Sequence, residues 1–240
     1  MRVLLNGQNT KNIEKLAKDL GLEIVYSNPQ IVVTFGGDGT LLSAERHYPN
    51  IPKLPIRNSD FCKKCLNHAD ELVLKKLRED KLQLKEYRKL EITLLYKTFY
   101  ALNDFVIRNS DPTHTIRFKT HPVSHVERNE GSLLIGDGIV ISTPFGSTGY
   151  FQSITRQTFD KGFGVAFNNT TQKIDPLYLS DQDLITFQLT RGKATLSFDN
   201  SPDIFTIDED SQLVFKLSNQ TAKIYADTSL RCPNCQIIRS

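Results

Sequence analysis

The stretch Ile31-Val32-Val33-Thr34-Phe35-Gly36-Gly37-Asp38-Gly39-Thr40 carries the reading on which the fold turns. Five consecutive apolar or β-branched residues form the pattern of a strand covered on both faces, and the run stops at two glycines. Beyond Thr40, Leu41 to His47 reads as a helix, so the stretch is a strand, a tight turn and a helix. The flanks repeat this grammar. Val3 to Leu5 reads as a buried strand, and Ile13, Leu16, Ala17 and Leu20 recur at helical spacing with Gly21 placed as a C-cap. Glu23 to Tyr26 and Lys53 to Arg57 are further short strands, and Ala69, Leu72, Val73 and Leu77 mark one face of another helix. Such alternation predicts an α/β domain with a parallel, doubly wound sheet over residues 1–84.

The pattern changes near Leu84. Strand-like segments follow closely at Leu90–Tyr96, Ala101–Arg108, Thr115–Lys119, Ile139–Ser142, Leu184–Leu189, Ala194–Phe198, Gln212–Leu217 and Ala222–Tyr225. Turn residues separate them, as at Asn109-Ser110-Asp111-Pro112 and Arg191-Gly192-Lys193, which predicts a mostly antiparallel β-sandwich over residues 85–228. The lysines and arginines from Lys75 to Lys89 are expected to line a solvated helix face rather than a ligand patch.

Composition narrows the function. The 240 residues are 39% hydrophobic and 24% charged, which excludes wholesale disorder and low-complexity architectures. A net charge of +3 is too weak for nucleic-acid binding, which concentrates basic residues in a patch, yet it is compatible with a small anionic ligand. No apolar run approaches the roughly 18 residues of a membrane span. The amino terminus is too short for a signal peptide, so the expectation is a cytoplasmic protein without membrane or nucleic-acid partners.

The turn at Gly36, Gly37, Gly39 and Thr40 sits at the carboxyl end of a sheet strand, where open α/β folds bind ligands. Glycines allow backbone N–H groups to approach phosphate oxygens, and the helix that follows directs its positive end to the same place. The motif has neither the lysine of a Walker A loop nor dinucleotide-fingerprint spacing, and an acid stands at its centre. A carboxylate beside phosphates has a use if it accepts the proton of a hydroxyl that attacks a phosphoryl group. The plain alternative is a βα turn in which Asp38 only caps the helix.

A second glycine-rich stretch runs from Gly136-Asp137-Gly138 through Ser142-Thr143-Pro144-Phe145-Gly146-Ser147-Thr148-Gly149-Tyr150. It offers hydroxyls and amides to ribose and phosphate oxygens and an aromatic ring to a base or ribose face; an ordinary turn between strands is the plainer reading. Leu102-Asn103-Asp104 places an amide beside a carboxylate at the start of an apolar strand.

In this order, with a downstream Asp183-Leu184-Ile185 and Arg191–Asp199 stretch, these elements resemble the NAD kinases, which phosphorylate the 2′-hydroxyl of the adenosine ribose of NAD. The resemblance covers most of the chain and implies a nucleotide site between the domains. It implies Asp38 as the proton acceptor, with Gly39 beside it, and Asn103, Asp104, Asp137, Thr148, Gly149 and Tyr150 as NAD-binding positions. Phe151, Gln152 and Ser153 continue that loop. It further implies ATP or polyphosphate as donor, Mg²⁺ with the donor's phosphates, and a homo-oligomer, dimer or tetramer. The tail 229–240 is expected to return to the first domain. Lipid kinases share the glycine turn but not the later motifs; together with other small-alcohol kinases and a non-catalytic nucleotide sensor they are the alternative. Departures are visible: Asp104 stands where glutamate is usual, Phe145 where the family is small or polar, Gly149 where alanine is frequent, and Asn58 to Cys65 replaces the family's glycine-containing loop.

All four cysteines fall in two Cys-x-x-Cys units, Cys62/Cys65 and Cys232/Cys235, matching the ligand count of a tetrahedral structural Zn²⁺ site. Redox chemistry, a disulfide and unliganded thiols stay open alongside it. His114, His121 and His125 are expected in solvent-exposed or capping roles, and His47 and His68 near helix ends.

Overall fold

The computed structural model describes residues 1–58, 69–123 and 131–226. All four cysteines, His68, His125, the loop beyond Asn58 and the tail 229–240 lie outside these residues. The chain divides into two compact units, Met1–Tyr87 with the stretch from Thr221 onward, and Arg88–Gln220.

In the first unit the elements are β1 (Arg2–Gly7), α1 (Lys11–Asp19), β2 (Glu23–Ile24), β3 (Ile31–Gly36), α2 (Asp38–His47), β4 (Lys53–Arg57) and α3 (Asp70–Arg78). The strands lie in the order β2-β1-β3-β4, and beyond β4 the sheet takes up the end of the last strand of the chain, with Ile224 opposite Lys53. Every pairing is parallel. Because successive strand residues point to opposite faces, Val3, Ile31, Val33, Phe35, Leu54 and Ile56 meet Ile13 and Ala17 of α1 and Leu74 and Leu77 of α3 on one side. Leu4 and Val32 meet Ala44 of α2 on the other. Covering both faces is what the uninterrupted apolar run of β3 requires. Gly21 follows α1 at φ +73°, the left-handed conformation of a helix stop. At the far end of α2, fully buried Lys53 forms an ion pair with Glu45 and donates to the Tyr48 carbonyl at 2.6 Å, tying the helix to β4.

The second unit carries β5 (Gln83–Leu94, entering from the first), β6 (Lys97–Ala101), β7 (Asp104–Asn109), β8 (Ile116–Val123), β9 (Leu133–Gly136), β10 (Gly138–Ser142), α4 (Tyr150–Thr155), β11 (Phe163–Asn168), β12 (Leu177–Leu179), β13 (Leu184–Arg191), β14 (Ala194–Phe198), β15 (Phe205–Ile207) and β16 (Gln212–Ala226), whose last residues belong to the first unit. One sheet runs β12-β11-β10-β7-β14-β15. The other runs β16-β13-β8-β9, with β5 on β16 and β6 on β5. All pairings of the first sheet, and those of β16 with β13, β13 with β8, β8 with β9 and β5 with β6, are antiparallel. Their inner faces share one core in which Phe118 stacks on Phe187 at 5.2 Å and Phe105 meets Phe198 and Phe215 at 5.5 and 5.4 Å. The outer face of the first sheet is covered at Val106, Val140 and Ala166 by Phe151 of α4.

Several elements differ from the sequence reading. Ala101–Arg108 is two strands, with Leu102 and Asn103 between them, whereas the two segments at Gln212–Leu217 and Ala222–Tyr225 are one strand. β11 was not expected at all, since Gly164 interrupts its apolar pattern. Lys89, expected on a solvated face, is buried. No helix among the described residues is long and apolar enough to cross a membrane.

Candidate active site

In the first unit the motif sits at the carboxyl edge of the parallel sheet. Gly7 lies opposite Phe35 and Gly36 opposite Arg57, and the Asn58 amide donates to the Gly36 carbonyl at 3.3 Å. A side chain at Gly7, where φ is +145°, would meet the Phe35 carbonyl oxygen at 2.1 Å, so the ends of β1 and β3 come this close only because the residue is glycine. The cap of α2 is Gly37, which has no side chain, and Asp38 is the first residue of the helix itself. This departs from the plainer reading of Asp38 as a cap. Around Gly37 nothing approaches a Cβ within 4 Å, so open space adjoins the amides that begin α2, which is the geometry of an anion site. Asn6 donates to the Thr40 carbonyl at 3.4 Å and holds the first helical turn against β1.

In the second unit three segments converge. Asp199, the residue after β14, accepts the amide hydrogens of Leu102 at 2.5 Å, Asn103 at 2.7 Å and Asp104 at 3.4 Å. From the other side Thr143 donates its amide to the Asn103 carbonyl at 2.9 Å and its hydroxyl to the Leu102 carbonyl at 2.6 Å. Ser142 opposes Asp104 in the sheet, and the Gly146 amide donates to the Thr143 hydroxyl at 3.0 Å. The loop after β10 is thus clamped to the turn between β6 and β7. Asp104 and Asp199 are both buried, while Asn103 is half-exposed. Burial first, and then the negative charge of Asp199, push the Asp104 carboxyl up to about 7.

A 3₁₀ turn at Gly146–Thr148 then feeds α4. Tyr150 opens that helix with about half of its side chain in solvent, and Ser153 is exposed. Phe151, by contrast, is fully buried, its ring 5.0 Å from that of Phe159 and 5.9 Å from that of Tyr178. Its side chain is committed to packing.

Asp137 is not brought to this cluster. It stands before the opposite end of β10, six residues or roughly 20 Å from Thr143, and accepts from Asn169 at 2.9 Å and Asn109 at 3.5 Å. Gly138, at φ +133°, would place a Cβ 2.0 Å from the Ile107 carbonyl oxygen, which explains the second glycine of the Gly-Asp-Gly element. His114 is exposed and contacts the Asp111 carboxylate at 2.9 Å. His47 contacts the Ser43 carbonyl within α2. Asp199 was not singled out as a functional residue from sequence; the available signal is Asp199-Asn200, two residues at φ +46° and +51° directly after an alternating strand.

No protein-family model matches the sequence. The NAD kinase 2 of Listeria monocytogenes is 31% identical over 161 residues, 62% of this chain and 58% of that protein. The NAD kinase of Sulfurisphaera tokodaii is 28% identical over 231 residues, 90% of this chain and 88% of that protein. The crystal structure of an NAD kinase from Archaeoglobus fulgidus in complex with ATP superposes with a TM-score of 0.77 at 19% identity, over 95% of this chain and 94% of that one. This chain is similar in sequence to NAD kinases over 62% to 90% of its length. Its two units have the NAD kinase fold, and the match spans less than two thirds of the length of the Listeria relative.

The raised Asp104 carboxyl has a measurable consequence. The folded protein keeps a proton there that the unfolded chain releases above about pH 4. The resulting stabilisation is fully present below that pH and is lost as pH rises through about 7. Asp104→Asn removes the titration, so the variant should gain stability relative to the parent between pH 5 and pH 8, at about 1.4 kcal/mol per pKa unit at most. Denaturant midpoints across that range check it, and parallel pH profiles would contradict it.

Proposed function

We propose that this chain transfers a phosphoryl group from ATP, or from polyphosphate, to the 2′-hydroxyl of the adenosine ribose of NAD, forming NADP. The observation that carries this reading is Asp38, an acid in the first turn of α2 next to an open anion-binding turn at the carboxyl edge of a parallel sheet. The names of the relatives, NAD kinases in each case, support the acceptor, and the ATP complex of the Archaeoglobus structure supports the donor.

In the proposed step the ribose 2′-oxygen attacks the terminal phosphorus of the donor. The bond from that phosphorus to the bridging oxygen breaks, ADP or the shortened polyphosphate leaves, and the hydroxyl proton passes to the Asp38 carboxylate. Gly36, Gly37, Gly39 and Thr40 shape the turn that receives the phosphates. Asn103, Asp104, Asp137, Thr148, Gly149 and Tyr150, continuing through Phe151, Gln152 and Ser153, are the proposed dinucleotide contacts. Of these, Tyr150 and Ser153 are exposed and Asn103 is half-buried, whereas Phe151 is fully buried. Among the described residues no group of three or more His, Cys, Asp or Glu side chains is placed to hold a metal ion. Mg²⁺ is proposed to come with the donor, where it neutralises phosphate charge. A homo-oligomer, dimer or tetramer, is part of the same proposal.

Asp38→Asn is expected to retain nucleotide affinity and lose roughly 10²–10⁴-fold in kcat. Asn103→Ala and Tyr150→Ala should instead raise KM for NAD. The check is a coupled assay of NADP formation with each donor, with diacylglycerol as the competing acceptor; an unchanged kcat in Asp38→Asn removes the base assignment, and phosphorylation of the lipid instead of NAD removes the reading.

The paired Cys-x-x-Cys units support one structural Zn²⁺ per chain held by Cys62, Cys65, Cys232 and Cys235, closed to water because four thiolates fill its coordination. Elemental analysis of protein purified without chelator should find stoichiometric zinc that a Cys232→Ser variant loses. Absence of zinc in the parent, or undiminished zinc in the variant, contradicts the site.

A further inference from the structure

We propose that Asp199 is the positioning residue for NAD recognition at Asn103, a role that rests on the NAD kinase reading above and adds a residue to it. The backbone of the turn is consumed inside the protein. The amides of Leu102 and Asn103 donate to the two carboxylate oxygens of Asp199 at 2.5 and 2.7 Å, and the Asp104 amide adds a third, longer bond. The Leu102 carbonyl accepts from the Thr143 hydroxyl, and the Asn103 carbonyl accepts from the Thr143 amide and, at 3.3 Å, the Ser142 hydroxyl. With the Leu102 side chain buried and the Asp104 carboxyl buried beside Asp199, the group of the turn that reaches solvent is the carboxamide of half-buried Asn103.

A carboxylate is the group this arrangement demands. Three successive N–H groups converge on one point, which forms an anion-binding concavity, and only an ionised carboxylate offers acceptors to all of them without a donor in the way. Asparagine at 199 keeps one acceptor oxygen and turns an NH₂ toward an N–H. The constraint is therefore graded. Asp199 lies 5% exposed and outside ligand reach, so its effect on substrate runs through the placement of Asn103. A second, chemically unrelated handle exists on the same turn: a methyl at Gly146 would sit 2.2 Å from the Asn103 carbonyl oxygen and 2.5 Å from its carbon, pushing the turn from the opposite side.

The test compares parent, Asp199→Asn and Gly146→Ala in the NADP-forming assay, with both substrates varied. Both variants should raise KM for NAD at least tenfold, leave KM for the phosphoryl donor within twofold, and lower kcat by less than KM rises. A purely structural contribution would lower the active fraction, hence apparent kcat, with both KM values unchanged, and that outcome overturns the proposal. Amide hydrogen exchange on the full chain reads the same turn without reference to activity. Leu102 and Asn103 should be protected in the parent and lose at least a hundredfold of that protection in Asp199→Asn. Rapid exchange at these amides in the parent overturns the proposal even if a variant fails to fold. A parent that makes no NADP but shows the protected turn overturns the functional reading and leaves the positioning of Asn103 by Asp199 standing as structure.

Discussion

The carboxylate of Asp199 meets the amides of three consecutive residues whose sequence neighbours are apolar. Without it, Ala101 to Arg108 would have no reason to stop being one strand. By ending β6 at Ala101 and starting β7 at Asp104, this interaction gives β7 its place between β10 and β14, and with it the register that sets Phe105 against Phe198 and Phe215 in the core. The same break exposes two carbonyls for Thr143, which anchors the hydroxyl-rich loop after β10. Core packing and the candidate nucleotide contacts of the second unit thus share one point of attachment. The burial of Asp104 beside Asp199 is its electrostatic cost, visible as a carboxyl that holds its proton up to about pH 7.

The first unit is organised by a different constraint. A parallel sheet covered on both faces leaves its edges at the strand ends as the place where polar chemistry meets backbone. There, α2 is held at one end by the buried Lys53–Glu45 pair and at the other by Asn6 on the Thr40 carbonyl. A helix fixed at both ends keeps its opening amides and Asp38 in a set position against β3. Such preorganisation is what the general-base role proposed for Asp38 needs, since misplacement by about 1 Å can cost two orders of magnitude in rate.

Sequence made the first unit readable because its signals are local. The apolar run of β3 stops at glycine, Gly21 stops α1, and the helical spacing of Ile13 and Ala17 matches the face they bury. The second unit was readable as strands but not in its breaks. The interruption at Leu102 and Asn103 comes from a carboxylate 96 residues away from Asn103, which no window of sequence contains. Conversely, Ser218 to Thr221 looks like a turn, yet β16 runs straight through it, with Ser218 buried and its carbonyl accepting from Arg88 at 3.0 Å. Among the candidate site residues, Asp38 and Asn103 stand where their motifs suggest. Phe151 does not behave as a loop residue, because residues 150–155 form a helix and its position faces the core. The resemblance groups Asp137 with Thr148 and Tyr150, although the whole of β10 separates them.

The central claim is a chemical one, the transfer of phosphate to one hydroxyl of one ribose. The most direct measurement is phosphorus NMR, correlated to protons, of the product formed by the purified chain from NAD and ATP. The account predicts a new phosphomonoester coupled to the 2′ proton of the adenosine ribose, with one ADP released per phosphate transferred. Phosphate on any other hydroxyl, or ADP released while NAD stays unmodified, would contradict it.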